Sequence, residues 1–183
     1  MLAEAGDSIN RFVESGITRL QGKLGPINWQ FMVTKKFDAA DFEAFLALLP
    51  KSVDGLALRH AVEVRHESFA VPEFVALCRK HGVAIIAGCD GEFPCIADVT
   101  ADFVYVRAMG TTEKEKAGYS MAALARWAAQ AKDWGRGGAP NDLPLVAKAA
   151  AKKRRDVFVF VISGAKARNP AAAQALIAIL AEL

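Results

Sequence analysis

In the stretch "HAVEVRH", residues 60–66, an acid and a base stand two positions apart inside a run that otherwise has strand composition. Side chains two apart on a strand share a face, so Glu63 and Arg65 point one way and Val62 and Val64 the other. The stretch "FVYVRA", residues 103–108, repeats the pattern, with Tyr105 and Arg107 opposite Val104 and Val106. Two guanidiniums fixed on strands suit an anion, because the planar, multi-donor head of arginine matches carboxylate and phosphate oxygens. Glu63 beside them is a candidate general acid or base, governed by how dry the site is and how close the arginines come. Tyr105 and Gln30 are candidates to orient a ligand by hydrogen bonds. The same residues support a second reading, an internal Glu63–Arg65 ion pair, since buried charges are usually paired. Both readings can hold at once.

For these faces to meet, the chain must lay strands side by side. Residues 7–22 carry Ile9, Phe12, Val13, Ile17 and Leu20 at helical spacing behind Asp7 or Ser8, which predicts an amphipathic helix. Gly25 and Pro26 punctuate the chain before an apolar run of strand length. "FDAADFEAFLALLP" predicts a helix capped by Asp38, with Phe42, Phe45, Leu46 and Leu49 on one face and Pro50 as its stop. Strands at 60–65, 83–88 and 103–108 and "DVFVFVI" alternate with further helices. These run over 71–80 closing at Gly82, from Ser120 through Trp127 and Trp134 to Gly135, and from Asn169 with Pro170 in the first turn. Repeated strand–helix units define an α/β class with a parallel sheet and helices outside it. Parallel strands are normally apolar on both faces. Polar faces near the C-terminal ends of two strands therefore read as the interior and mouth of a (β/α) barrel, where such folds build their sites.

The composition agrees with one folded core. The chain has 183 residues, 53% of them hydrophobic and 23% charged, which is far from the signature of disorder and suits a single domain over 1–183. A formal net charge of +3 is too slight and too unclustered to mark a nucleic-acid partner by itself. Cys78, Cys89 and Cys95 are odd in number and irregular in spacing, which weighs against a secreted disulfide framework and for a reducing, cytoplasmic setting. No segment approaches the roughly 20 apolar residues of a spanning helix, so no membrane role is expected.

The motifs "KLGPINWQF", "LRHAVEVRHESF", "ADFVYVRAMG" and "DVFVFV…AKARNPAAAQAL" occur in this order, and together they resemble the YecE-like family, also called domain of unknown function 72. The resemblance runs over nearly the whole chain and implies a TIM-barrel-like fold without a settled activity. It further implies an N-terminally incomplete member, holding about the last five of eight strand–helix units. Where the family tends to have His after the "YVR" motif this chain has Met109, and Ile162 and Ser163 stand where a polar pair is expected.

His66, one position past Arg65, is a candidate proton shuttle or a surface-loop histidine. Asp90 follows the strand "VAIIAG" and is a candidate ligand contact at the mouth or ordinary turn chemistry with Gly91. No metal and no cofactor are expected: His60, His66 and His81 do not converge by position, Cys89 and Cys95 are too far apart for a C-x-x-C knuckle, and Cys78 falls on the apolar side of its helix. Ser163, Gly164 and the helix start near Asn169 lie where barrels often hold phosphate, a weak signal. The basic run "KAAAKKRRD" reads as a solvated face, and Trp29 as core packing.

The expectation is thus a partial barrel whose mouth, formed by Gln30, Glu63, Arg65, His66, Asp90, Tyr105 and Arg107, takes a small anionic or phosphorylated ligand, with hydrolysis as the reaction class. Two alternatives are carried: a non-catalytic truncated remnant or assembly subunit, and binding of a nucleic-acid backbone, the less favoured. Self-association, or a partner supplying the missing strands, is expected from two open sheet edges at residues 27–31 and 157–162.

Overall fold

The computed structural model describes residues 1–183. In chain order the elements are α1 (Gly6–Val13), β1 (Ile27–Gln30), α2 (Ala39–Leu48), β2 (Ser52–Val53), β3 (Leu56–Ala57), β4 (His60–Glu63), α3 (Pro72–His81), β5 (Ala84–Ala87), β6 (Phe103–Ala108), α4 (Met121–Gly135), β7 (Asp156–Val161) and α5 (Asn169–Glu182). β2 and β3 form a small antiparallel hairpin. The other five strands make one sheet in the order β1-β4-β5-β6-β7, every neighbouring pair parallel. The sheet curls into a half-barrel, because side chains from distant strands meet across its concave face: Arg107 of β6 reaches Gln30 of β1, and Arg59, just before β4, reaches Asp156 of β7.

Local chemistry sets the helix ends. The Asp38 carboxylate accepts from the Asp41 N–H at 2.8 Å and starts α2. α3 closes on Gly82, whose φ of 67° is left-handed. Two expectations need correction. The helix foreseen over 7–22 ends at Val13, since Gly16 takes φ 98° and only short 3-10 turns follow to Lys23; Ile9 and Val13 are buried, whereas Phe12 and Leu20 are exposed. The cysteines do form one disulfide, between Cys89 and Cys95, leaving Cys78 free and buried. The turn between β5 and β6 brings them together, which residue spacing alone does not reveal.

The strand faces follow the alternation. Val62, Val64 and Ile85 face the helices and pack with Phe31, Phe42, Phe45, Phe69 and Phe74, whose rings meet at 5.1–5.5 Å in several pairs. Val104, Val106 and Ala108 pack against Leu124, Trp127 and Trp134 of α4 and Leu176 of α5. Fully burying each such side chain contributes roughly 1.5–3 kcal/mol. On the concave side Ala61, Ala84, Ile86, Phe103 and Tyr105 form a smaller apolar floor with Phe158. The irregular stretch after α4 is tied down by Asp98, whose buried carboxylate accepts from the Val146 and Ala147 N–H groups at 2.7 and 3.0 Å. No helix is long and apolar enough to cross a membrane.

Candidate functional site

Beyond the apolar floor, toward the C-terminal ends of the strands, the concave face turns polar. β1 and β4 pair in the register Asn28↔Ala61 and Gln30↔Glu63, so Asn28, Gln30 and Glu63 share one side. Glu63 is 4% exposed and takes its hydrogen bonds from three residues. Its Oε1 accepts from Arg65 Nε at 2.9 Å and Nη2 at 2.7 Å. Its Oε2 accepts from Arg107 Nη1 and from Asn28 Nδ2, the latter at 3.3 Å. Arg107 also donates to Gln30 Oε1 at 3.0 Å. One carboxylate between two guanidiniums leaves the cluster one positive charge in excess.

The partly exposed guanidiniums keep donors beyond those spent on Glu63 and Gln30. Burial lowers the Arg107 pKa from its ordinary 12.5, but a guanidinium remains charged in proteins. Tyr105 stacks on Phe160 with ring centroids 4.8 Å apart. Burial raises its phenol pKa, keeping the hydroxyl a neutral donor. Phe93, from the loop after β5, lies over Arg65 with 4.4 Å from the guanidinium carbon to the ring centre.

Five of the seven residues named from the sequence, Gln30, Glu63, Arg65, Tyr105 and Arg107, therefore share this face. The other two are placed differently. The Nδ1 of His66 accepts from the Ser68 N–H at 3.1 Å and lies 2.9 Å from Ser68 Oγ, so the ring caps the turn Glu67–Phe69. The Asp90 carboxylate accepts from the Met109 and Gly110 N–H groups at 2.9 and 3.0 Å and from the Tyr119 hydroxyl, closing the turn that follows β6. Burial, then the bond to Asp90 and its charge, hold the Tyr119 phenol far above its ordinary range. Met109 packs its methyl against Gly88, where any Cβ would come within 2.7 Å.

Ser163 and Gly164 turn back on Thr111, which donates to the Ser163 carbonyl at 3.3 Å and to Asn169 Oδ1 at 2.7 Å. Trp29 faces the helices, its indole N–H donating to His60 Nδ1 at 3.0 Å. Sequence reasoning missed Asn28 and Phe93. The alternation that singled out Gln30 also puts Asn28 on its face, whereas nothing local announces Phe93. Asn28 Oδ1 is buried without a hydrogen-bond partner.

Larger recesses lie at the opposite end of the strands, about 650 Å³ around Arg136, Lys153 and Arg154 and about 480 Å³ around Lys51 and His81. The acid–base pair that lies between them, Arg59–Asp156 at 2.9 Å, is exposed on its acid side, whereas the Glu63 carboxylate is buried between two guanidiniums. The ordered polar cluster therefore defines the candidate site.

A half-barrel of parallel strands with its polar cluster at the strands' C-terminal ends defines an α/β protein of (β/α) type. The family described as "Protein of unknown function DUF72" matches residues 1–183, and the chain belongs to it; the YecE-like resemblance is the same family. A solved DUF72 family protein from Thermotoga maritima is similar in fold, with 19% identity and a TM-score of 0.67, covering 97% of this chain and 65% of that one. Another, from Enterococcus faecalis, gives 16% identity and a TM-score of 0.64, covering 94% and 68%. At such identities the likeness concerns the fold alone, and the chain spans about two thirds of the length of these relatives. No curated protein matches it.

Proposed function

We propose that residues 1–183 act as one partial (β/α) barrel domain that binds a small anionic or phosphorylated ligand on the concave face, between Arg65 and Arg107. The observation that carries this reading is the Glu63 carboxylate joined to both guanidiniums, which fixes two planar cations in place while leaving net positive charge. Preorganised arginines lose little freedom when an anion arrives. Gln30 and the Tyr105 hydroxyl supply further polar groups on the same face.

Glu63 has about four acceptor positions, and the Arg65, Arg107 and Asn28 bonds occupy all of them. That occupancy favours an anchoring role over proton transfer. Hydrolysis at this site requires the ligand to exchange at least one of those bonds, which frees Glu63 to act as the base. Phosphate or sulfate at millimolar concentration is expected to raise the melting temperature of the chain. Arg65→Ala and Arg107→Ala should each remove that response, and chloride at matched ionic strength should not reproduce it. Equal stabilisation of parent and both variants would dismiss the site.

An assembly role is favoured by a separate observation. β1 and β7 are unpaired edges, and Met32 and Val33 just after β1 and Phe160 on β7 are exposed. Open edges of this kind recruit a further strand, from a second copy or from a partner that carries one. Backbone binding to nucleic acid would instead appear as affinity that falls steeply with salt.

A further inference from the structure

The disulfide and the candidate site are physically connected. Cys89 and Cys95 close a ring around Asp90, Gly91, Glu92, Phe93 and Pro94. Within that ring Asp90 is held by Met109, Gly110 and Tyr119, and Phe93 is the residue that lies on Arg65. Both cysteines are partly exposed, and they line a recess of about 290 Å³ beside Tyr119, Arg126 and Trp127.

We propose that Cys89 and Cys95 are a reversible thiol–disulfide site that controls Arg65 through Phe93, an inference that rests on the anion-binding reading of the cluster for its effect on ligand. In the oxidised ring, the segment that carries Phe93 is tethered at both ends, so the aromatic face stays on the guanidinium. A cation–π contact of this kind orders the arginine. The reductant is a dithiol, small or protein-borne. Its thiolate attacks one sulfur of the pair, forming a mixed disulfide and releasing the other sulfur as a thiolate; its second thiol then displaces the first sulfur. Two electrons and two protons pass to Cys89 and Cys95, and the reductant leaves as a disulfide. The seven-residue ring is then open, Phe93 is held from its Asp90 side alone, and Arg65 gains freedom that an anion must remove on binding. The oxidised chain is therefore the tighter anion binder.

The test compares the full chain before and after dithiothreitol treatment. Alkylation in denaturant without reductant should label one cysteine, Cys78, in the oxidised chain and three after reduction. The Arg65 Nε–H resonance should carry the ring-current shift of Phe93 when oxidised and lose it on reduction. The Kd for inorganic phosphate, by calorimetry, should rise about fivefold or more. The Cys89→Ser/Cys95→Ser variant should match the reduced chain and ignore dithiothreitol, and Phe93→Leu should weaken phosphate binding in the oxidised chain. Labelling of all three cysteines before reduction, an Arg65 resonance that does not move, or equal phosphate affinity in both redox states each overturns the proposal. If neither state binds phosphate, the anion-binding reading fails, and the link from disulfide to Arg65 is then decided by the resonance alone.

Discussion

Arg107 on β6 donates to Gln30 on β1 at 3.0 Å, although β4 and β5 lie between the two strands. Three strand spacings of roughly 4.8 Å would hold their backbones about 14 Å apart in a flat sheet. Curl across the concave face brings the side chains into contact, and the same curl lets Arg107 share Glu63 with Arg65. The site is therefore a product of sheet curvature as much as of residue type.

Removing the shared carboxylate should be costly to the fold. Glu63→Ala leaves Arg65 and Arg107 facing one another without compensation, and breaking a buried pair typically destabilises by about 3–5 kcal/mol. Urea unfolding should show a loss of that order for Glu63→Ala and a smaller one for Glu63→Gln, which keeps an acceptor oxygen. A loss under about 1 kcal/mol in both would mean that water, and not Glu63, compensates the guanidiniums.

His60 should make stability depend on pH. Its Nδ1 accepts the Trp29 indole N–H at 3.0 Å, so its Nε2–H must donate to the Pro50 carbonyl at 2.7 Å, which fixes a neutral ring. Burial lowers its pKa below the ordinary 6.5, with the Pro50 bond acting the other way. Between the folded and unfolded pKa values the unfolded chain binds more protons, so stability rises with pH there. The contribution is complete above about 6.5 and is lost as pH falls from that value through the folded pKa. Denaturant midpoints from pH 7.5 down to 5 should decline in the parent and decline less steeply in His60→Gln. Parallel profiles would assign the acid sensitivity to other groups.

The β7 edge should drive self-association. "VFVFV" within Asp156–Val161 is uncharged and rich in β-formers, and Phe160 is 41% exposed. Light scattering on a sizing column should give a mass well above 19.6 kDa for the chain alone, and Phe160→Lys should shift the population toward that mass, since an edge lysine discourages strand addition. A parent that already runs as a sharp monomer removes this expectation.

Most elements could be read directly. β6 and α5 start where the alternation and Pro170 put them, and Asp38, Ser120 and Gly82 mark ends that depend only on neighbouring backbone groups. The foreseen 7–22 helix failed at Gly16 because its apolar spacing continued past a residue free to take a left-handed conformation, and spacing does not report where a chain turns.

The amino-acid sequence by itself determined the α/β succession and the side of each strand on which Glu63, Arg65, Tyr105 and Arg107 lie, because the two-residue period of a strand is a local property of the backbone. Only the tertiary structure decided which of these groups meet. The Glu63–Arg107 contact depends on how far the sheet curls over β5. The Cys89–Cys95 bond and the seat of Phe93 on Arg65 depend on how one loop folds over its neighbours, and the turning of Asp90 and His66 toward nearby backbone groups depends on which N–H donors those loops leave open. Those distances come from the balance of packing and hydrogen bonding over the whole molecule, and no short stretch of residues contains them.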